Sequence, residues 1–367
     1  MALPGNPVKE VLIVEDSALL RKHLAHLLES DGAFRVVGKV ANGEEACAFL
    51  AHHAVSVVTM DIHMPGMGGF EATRRIMETA PVPIVIVSAC WEPEDVEETF
   101  RAMEAGAVAI VSTPKMDAPE EVEEFINAVH QAAEARVKLL RPRSPAVTPR
   151  EMGPPRSMER GVGPSLRPLA KGMNSRVVAL GASTGGPMAL RHLLGGLPPT
   201  FPWPVLVVQH MTQGFSEGFV RWLNEAIPLT ASLARHGEEI LPGRALVAPE
   251  GNHMEVRGGG VVVLSQEPPE HGVRPSVSRL FRSLSRVYGP GAVGVLLTGM
   301  GIDGAEELGL IRAGGGVTFA QDKESAVVWG MPGEAVRRDG ATHVLSPQGV
   351  ARVLVRMAEG ADRKGAP

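Results

Sequence analysis

The residues Gly181-Ala182-Ser183-Thr184-Gly185 follow the apolar run Val177-Val178-Ala179-Leu180 and precede Gly186-Pro187-Met188-Ala189-Leu190. That order reads as a strand, a Gly-rich turn and a helix. A serine in such a turn is lifted off the sheet, and the backbone N–H groups of the helix start point into the space beside it. A nucleophilic hydroxyl next to ready-made oxyanion donors is the equipment of acyl transfer. The same turn also suits phosphate binding or a plain structural role, so the chemistry depends on finding a base and an acid to orient it.

Both occur downstream at equivalent places. Val205-Leu206-Val207-Val208 ends in Gln209-His210, and Val293-Gly294-Val295-Leu296-Leu297 runs into Thr298-Gly299-Met300-Gly301-Ile302-Asp303-Gly304, ahead of a helix starting near Ala305. In a parallel sheet the C-terminal strand ends share one edge, where ligands bind. Taken singly, His210 reads as well as a structural histidine, and Asp303 as a helix cap. Placed together with Ser183 they read as nucleophile, general base and orienting carboxylate. The chain order Ser…His…Asp differs from the Ser…Asp…His of α/β-hydrolases, so that fold is not implied.

A second group of chemistry-bearing residues lies in the first 137 positions. Glu15-Asp16 ends the run Val11-Leu12-Ile13-Val14, and Asp61 closely follows Val55-Ser56-Val57-Val58. Three carboxylates at one sheet edge repel one another and suit a hard divalent cation such as Mg²⁺. Ser88 ends the run Ile84-Val85-Ile86-Val87, where its hydroxyl can reach an oxygen bound there.

The elements that must position these residues follow from periodicity. Short apolar runs, including Val36-Val37 and Val108-Ala109-Ile110-Val111, alternate with helix-period segments such as 18–28 and 96–105. Five strands alternating with helices predict a doubly wound parallel sheet, and the second half repeats that α/β rhythm without repeating its sequence. A chain of 367 residues exceeds one ordinary domain. Residues 1–137 carry a net charge of −12, residues 138–176 a net +7 and residues 177–367 none, within a total of −5. The basic segment is rich in Pro and Gly, as in Arg141-Pro142-Arg143-Ser144-Pro145, and predicts an extended, disordered linker that serves as a soluble tether or docks on the acidic domain. We therefore divide the chain into residues 1–137, a Pro/Arg-rich linker over 138–175, a catalytic domain over 176–358 and a disordered tail over 359–367. Val350, Leu354 and Met357 at helical spacing read as core. The two cysteines, Cys47 and Cys90, suggest neither a disulfide framework nor a zinc cluster. With no signal segment and no apolar run of membrane-spanning length, a soluble, cytoplasmic protein is expected.

The second half resembles the chemotaxis protein-glutamate methylesterases. The resemblance rests on Gly181-Ala182-Ser183-Thr184-Gly185-Gly186, Gln209-His210-Met211, Arg274-Pro275-Ser276-Val277, the Thr298–Gly304 string quoted above and Gly330-Met331-Pro332. It implies a catalytic triad of Ser183, His210 and Asp303, an oxyanion site at the Thr184 N–H and the Met300 loop, and no cofactor in the esterase site. It further implies hydrolysis of glutamyl methyl esters, and deamidation of glutamines, on the cytoplasmic domain of methyl-accepting chemoreceptors. Ser278 departs from the family, where an acidic residue is expected after Arg-Pro-Ser-Val.

The first half resembles a response-regulator receiver of flavodoxin-like fold, joined here to a Rossmann-like esterase domain. Val14-Glu15-Asp16-Ser17 matches the acidic pair, with Glu where Asp is more usual, and Asp61-Ile62-His63-Met64-Pro65 matches the phospho-acceptor segment. The resemblance implies phosphorylation of Asp61 by the pathway's histidine kinase, Mg²⁺ on Glu15, Asp16 and Asp61, and Ser88 as the switch hydroxyl. Receivers usually carry an aromatic residue and then Lys-Pro on the fifth strand. Ile110 and Thr113 stand at those positions here, and Lys115 comes two residues late. The competing function class is a regulator whose output domain binds, for example, nucleic acid. A net-neutral second half without a basic stripe argues against it.

Overall fold

The computed structural model describes residues 8–88, 93–139 and 176–365. Cys90 and nearly all of the expected linker lie outside the described residues. The first domain runs β1 (Lys9–Val14), α1 (Ala18–Asp31), β2 (Phe34–Val40), α2 (Gly43–Leu50), β3 (Val57–Met60), α3 (Gly69–Thr79), β4 (Ile84–Ser88), α4 (Pro93–Glu104), β5 (Ala109–Ser112) and α5 (Pro119–Ala133). Its strands form a parallel sheet in the order β2-β1-β3-β4-β5. The order reverses between β1 and β3, which opens a crevice at their C-terminal ends, the expected place for a ligand. Local signals start the helices. The Ser17 hydroxyl accepts from Leu20 N at 3.4 Å, and Asn42 and Glu45 cap α2 reciprocally, with Glu45 N on Asn42 Oδ1 at 2.9 Å and Ala41 N on Glu45 Oε2 at 3.0 Å.

The second domain runs β6 (Val177–Ala182), α6 (Gly186–Leu194), β7 (Val205–Gln209), α7 (Ser216–Ala226), β8 (Thr230–Leu233), β9 (Arg244–Val247), β10 (His253–Arg257), β11 (Val261–Ser265) and α8 (Val277–Tyr288). It continues with β12 (Ala292–Leu296), α9 (Ala305–Ala313), β13 (Val317–Gln321), α10 (Met331–Arg337), β14 (His343–Leu345) and α11 (Pro347–Gly365). Seven strands lie in the order β14-β13-β12-β6-β7-β9-β8, with every pairing parallel. The central strand β6 is buried throughout, as a parallel strand covered by helices on both faces must be. Its two neighbours are β12 and β7, so the strands that end at Ser183, His210 and the Thr298–Asp303 loop stand side by side.

Two details depart from the sequence reading. An antiparallel hairpin, β10 on β11, stands apart from the main sheet and packs its Val256 and Val262 into the core under α8. The last helix runs on to Gly365, past the boundary at 358 where a disordered tail was expected. Glu359, Ala361, Arg363 and Lys364 in that stretch are good helix formers able to extend an anchored helix past Gly360 and Asp362. Val350 and Leu354 are fully buried in that helix, and Met357 packs against the same core.

Candidate active site

Asp303 sits at the end of the β12 loop, 3% exposed, with its carboxylate against the N-terminus of α8. Oδ2 accepts from Val277 N at 2.6 Å and faces His210 Nε2 at 2.9 Å. Oδ1 accepts from Ser276 Oγ at 2.8 Å and from Ser278 N at 3.0 Å. A helix start supplies aligned N–H donors and a favourable dipole to an anion. Burial alone would raise the pKa of Asp303. The bonds from His210, Ser276 and the Val277 N–H outweigh it and hold the group well below the usual carboxylate range, ionised at any working pH.

His210 is anchored through its own backbone, with its N–H on Ala182 O at 3.0 Å, and so stands beside the residue before Ser183. Gln209 ties the two strand ends together. Its amide donates to Ser183 O at 3.0 Å and to His210 O at 2.8 Å. Gly186 is required next to it, because a Cβ there would lie 2.0 Å from Gln209 Oε1. Among the described residues no hydrogen bond joins the Ser183 hydroxyl to the imidazole; the structure joins His210 to Asp303 and places Ser183 on the adjacent strand end.

The turn around Ser183 is locked from the β12 side. Ser183 N donates to Thr298 O at 3.0 Å, and Thr298 Oγ1 donates to Thr184 O at 2.9 Å. Gly299 lies so close that a Cβ on it would meet Ser183 Cβ at 2.6 Å. The Thr184 and Met300 N–H groups donate to no acceptor among the described residues, and both belong to segments flanking Ser183.

In the first domain Glu15, Asp16 and Asp61 converge, each offering a carboxylate oxygen within 4.8 Å of the others. Burial and then the neighbouring charges push Glu15 up to about 7, and Asp61, for the same reasons, up to about 6. An oxygen-only donor set under this much mutual repulsion suits a hard cation. Ser88 is buried at the end of β4, and Thr113 N donates to its carbonyl at 3.0 Å. Lys115 reaches Glu121, Nζ to Oε1 at 3.0 Å. The guanidinium of Arg21 binds the backbone carbonyls of Glu15 and Asp16 at the rim of the cluster.

The first domain covers the Ser183 edge of the second. Phe100 of α4 stacks on Trp222 of α7 with ring centroids 5.4 Å apart, and Glu104 Oε1 accepts from Trp222 Nε1 at 2.9 Å and from Arg191. Closer to Ser183, Gly185 N donates to Val108 O at 3.0 Å, Thr184 Oγ1 donates to Gln131 Oε1, and Arg136 N donates to Val327 O at 2.8 Å. Ser183 is only 8% exposed beneath this cover.

Known proteins share this arrangement of domains. The family model of the CheB methylesterase matches residues 178–354, and that of the response regulator receiver domain matches residues 11–126. The chain is 49% identical over 352 residues to a protein-glutamate methylesterase/protein-glutamine glutaminase of Syntrophus aciditrophicus (strain SB), spanning 95% of this chain and 98% of that one. The chain belongs to the protein-glutamate methylesterase family. A second methylesterase/glutaminase, from Nitrosospira multiformis, is 45% identical over 349 residues, 95% of this chain and 96% of that relative. Among solved structures, the Thermotoga maritima CheB methylesterase catalytic domain is 34% identical, covering 50% of this chain and 98% of that one at a TM-score of 0.49.

Within this methylesterase the residues singled out in the sequence fall into two constellations: Ser183, Thr184, His210, Met300 and Asp303 in one, and Glu15, Asp16, Asp61 and Ser88 in the other. Sequence reasoning missed the bracing. Gln209, Ser276 and Thr298 all lie inside the quoted strings, but a string does not say which side chain turns inward. His253 gave no signal of its own. It is fully buried, with Nδ1 accepting from Ser276 N at 3.2 Å and Nε2 on Pro268 O at 3.0 Å, and so supports the residue that supports Asp303.

Proposed function

We propose that this protein is a receiver-gated serine esterase acting in chemotaxis-type adaptation. It hydrolyses glutamyl methyl esters, and deamidates glutamines, on the cytoplasmic domain of methyl-accepting chemoreceptors. The observation that carries this reading is the placement of Ser183, His210 and Asp303 on three adjacent strand ends, with His210 bonded to a buried carboxylate. Ser183 Oγ attacks the ester carbonyl carbon while His210 takes its proton. With Nε2 on Asp303, Nδ1 is the nitrogen left for that proton. The Thr184 and Met300 N–H groups receive the oxyanion. Collapse expels methanol, which leaves with the proton from His210, or ammonia when the substrate is a glutamine. Water then attacks the acyl-enzyme with His210 again as base, freeing a glutamate side chain and restoring Ser183.

Regulation enters through the receiver, which takes a phosphoryl group on Asp61 from the pathway's histidine kinase. Glu15, Asp16 and Asp61 are the residues that would hold Mg²⁺, which when bound neutralises phosphoryl oxygens. Ser88 supplies the switch hydroxyl. Work on a receptor tail is a cytoplasmic task, and no helix among the described residues is long and apolar enough to cross a membrane. Methanol release from a methylated chemoreceptor, measured for wild type and Ser183→Ala with and without a small phosphodonor, tests the reading. Retained activity in Ser183→Ala overturns it.

A further inference from the structure

The Asp303 carboxylate is fastened to α8 by a two-way clasp. Ser278 N donates to Asp303 Oδ1 at 3.0 Å, and in return the Ser278 hydroxyl accepts from the N–H of Gly304, the residue after Asp303, at 2.9 Å. That hydroxyl has one proton, and it goes to Glu307 Oε2 at 2.7 Å. Glu307 is 5% exposed, three residues after the cap position of α9, where a glutamate normally reaches back to the cap N–H itself. Here Ser278 is inserted between the two, so the capping box of α9 is completed by a side chain from α8. The other Glu307 oxygen accepts from Arg282 Nη2 at 2.6 Å, which satisfies the buried charge.

We propose that Glu307 and Ser278 form a positioning pair for the esterase reaction. The Glu307 carboxylate fixes the direction of the Ser278 hydroxyl, the hydroxyl fixes Gly304, and Gly304 fixes the angle at which Asp303 meets His210. The pair also accounts for the departure of Ser278 from the family. Where the resemblance leads one to expect an acidic residue at position 278, a serine stands here, and a carboxylate reaches the same junction from the facing helix α9. Two carboxylates here would repel, and none would leave the proton of the buried Ser278 hydroxyl without its acceptor.

The inference rests on the reading of Asp303 as the orienting carboxylate, so Ser183→Ala is run in parallel on the full chain. The substrate is a peptide carrying a glutamate γ-methyl ester, and methanol release is the readout. In Glu307→Ala and Ser278→Ala, kcat falls about 10- to 100-fold with KM within about twofold, because a misaimed base costs turnover and not binding. Ser278→Asp alone falls further. The double variant Ser278→Asp/Glu307→Ala regains activity, to at least about tenfold above Ser278→Asp. Melting curves establish that each variant is folded. If Glu307→Ala does not fold, Ser278→Ala and the comparison of Ser278→Asp with the double variant decide. Wild-type kcat in folded Glu307→Ala or Ser278→Ala, or no rescue in the double variant, overturns the pair while a dead Ser183→Ala leaves the serine mechanism standing. Activity in Ser183→Ala sinks the mechanism itself.

Discussion

Thr184, one residue past Ser183, donates its hydroxyl to Gln131 of the receiver's last helix. Beside it, Val108 of the receiver places its carbonyl on the Gly185 N–H. A receptor segment cannot reach Ser183 while these bonds hold. Deleting residues 1–140 should therefore raise basal methanol release. A finer test is Glu104→Ala, which removes the partner of Trp222 Nε1 and Arg191 far from the chemistry. Hydrogen bonds to a charged group are worth ~1.5–3 kcal/mol, enough to open a closed state about tenfold. A basal rate that stays level or falls in both variants would make the receiver an activator or an anchor and not a cover.

Catalysis should divide by role. Ser183→Ala and His210→Ala each remove a member of a unit that acts together, so each should abolish methanol release in a folded protein. Asp303→Asn should leave a measurable residue, reduced by about 10⁴-fold, because the carboxylate orients and stabilises the imidazolium without exchanging a proton. Single-turnover methanol release separates the two cases.

Strand ends were the legible part of this site. Ser183, His210 and Asp303 each follow an apolar run, and a parallel sheet leaves its strand ends no other place than one edge. The acidic cluster of Glu15, Asp16 and Asp61 was legible for the same reason. The bracing was not. Gln209 alternates with Val208 on a strand whose faces are both buried, so no period marks it as the residue that reaches Ser183 O. Glu307 sits in a run of ordinary helix formers, and only the approach of α8 to α9 shows that its charge is buried. The cover over Ser183 depends on how two separately folding sheets meet, through single contacts such as Phe100 on Trp222, which no local pattern encodes.

Glu124 of α5 faces Thr212, in the loop after His210, and burial there raises its pKa above the ordinary value despite the hydrogen bond from Thr212. A carboxyl that holds its proton more tightly when the domains are closed favours closure when protonated and opposes it when ionised. Closure should tighten as pH falls through that raised value, and above it the ionised group should loosen it. Glu124→Gln removes the charge and keeps the shape, so its basal methanol release should be lower than wild type on the alkaline side of that raised value, with the two converging in acid. A higher basal rate in Glu124→Gln would reverse the assignment.

The receiver's acidic pocket should bind its cation in competition with protons. Glu15 at about 7 and Asp61 at about 6 stand above their ordinary 4.5 and 3.8, so their protons stabilise the metal-free fold in acid, and that contribution is lost as pH rises through about 6 to about 7. Apparent Mg²⁺ affinity, followed calorimetrically on the full chain, should climb up to about tenfold per pH unit for each proton displaced below that range, and level off above it. A pH-independent affinity would mean that these groups are already ionised without the metal.

The fifth strand should set the strength of the proposed phosphorylation switch. Thr113 stands where receivers usually carry a lysine, and the nearby Lys115 ammonium is bonded to Glu121. Ile110 stands at the usual aromatic position and is β-branched, with restricted χ1 freedom. Charge neutralisation and the inward swing of an aromatic ring should therefore both be weakened here. Asp61 should still take a phosphoryl group when Mg²⁺ is bound, but activation of the esterase should be small. Thr113→Lys brings a cation to the pocket and should strengthen the response to a small phosphodonor, while its charge lowers the apparent affinity for Mg²⁺. The comparison is methanol release with and without the phosphodonor in wild type, Asp61→Ala and Thr113→Lys. A large, Asp61-dependent activation already present in the wild type would show that another cation serves the phosphoryl group, with Arg21 at the rim of the pocket the first residue to replace.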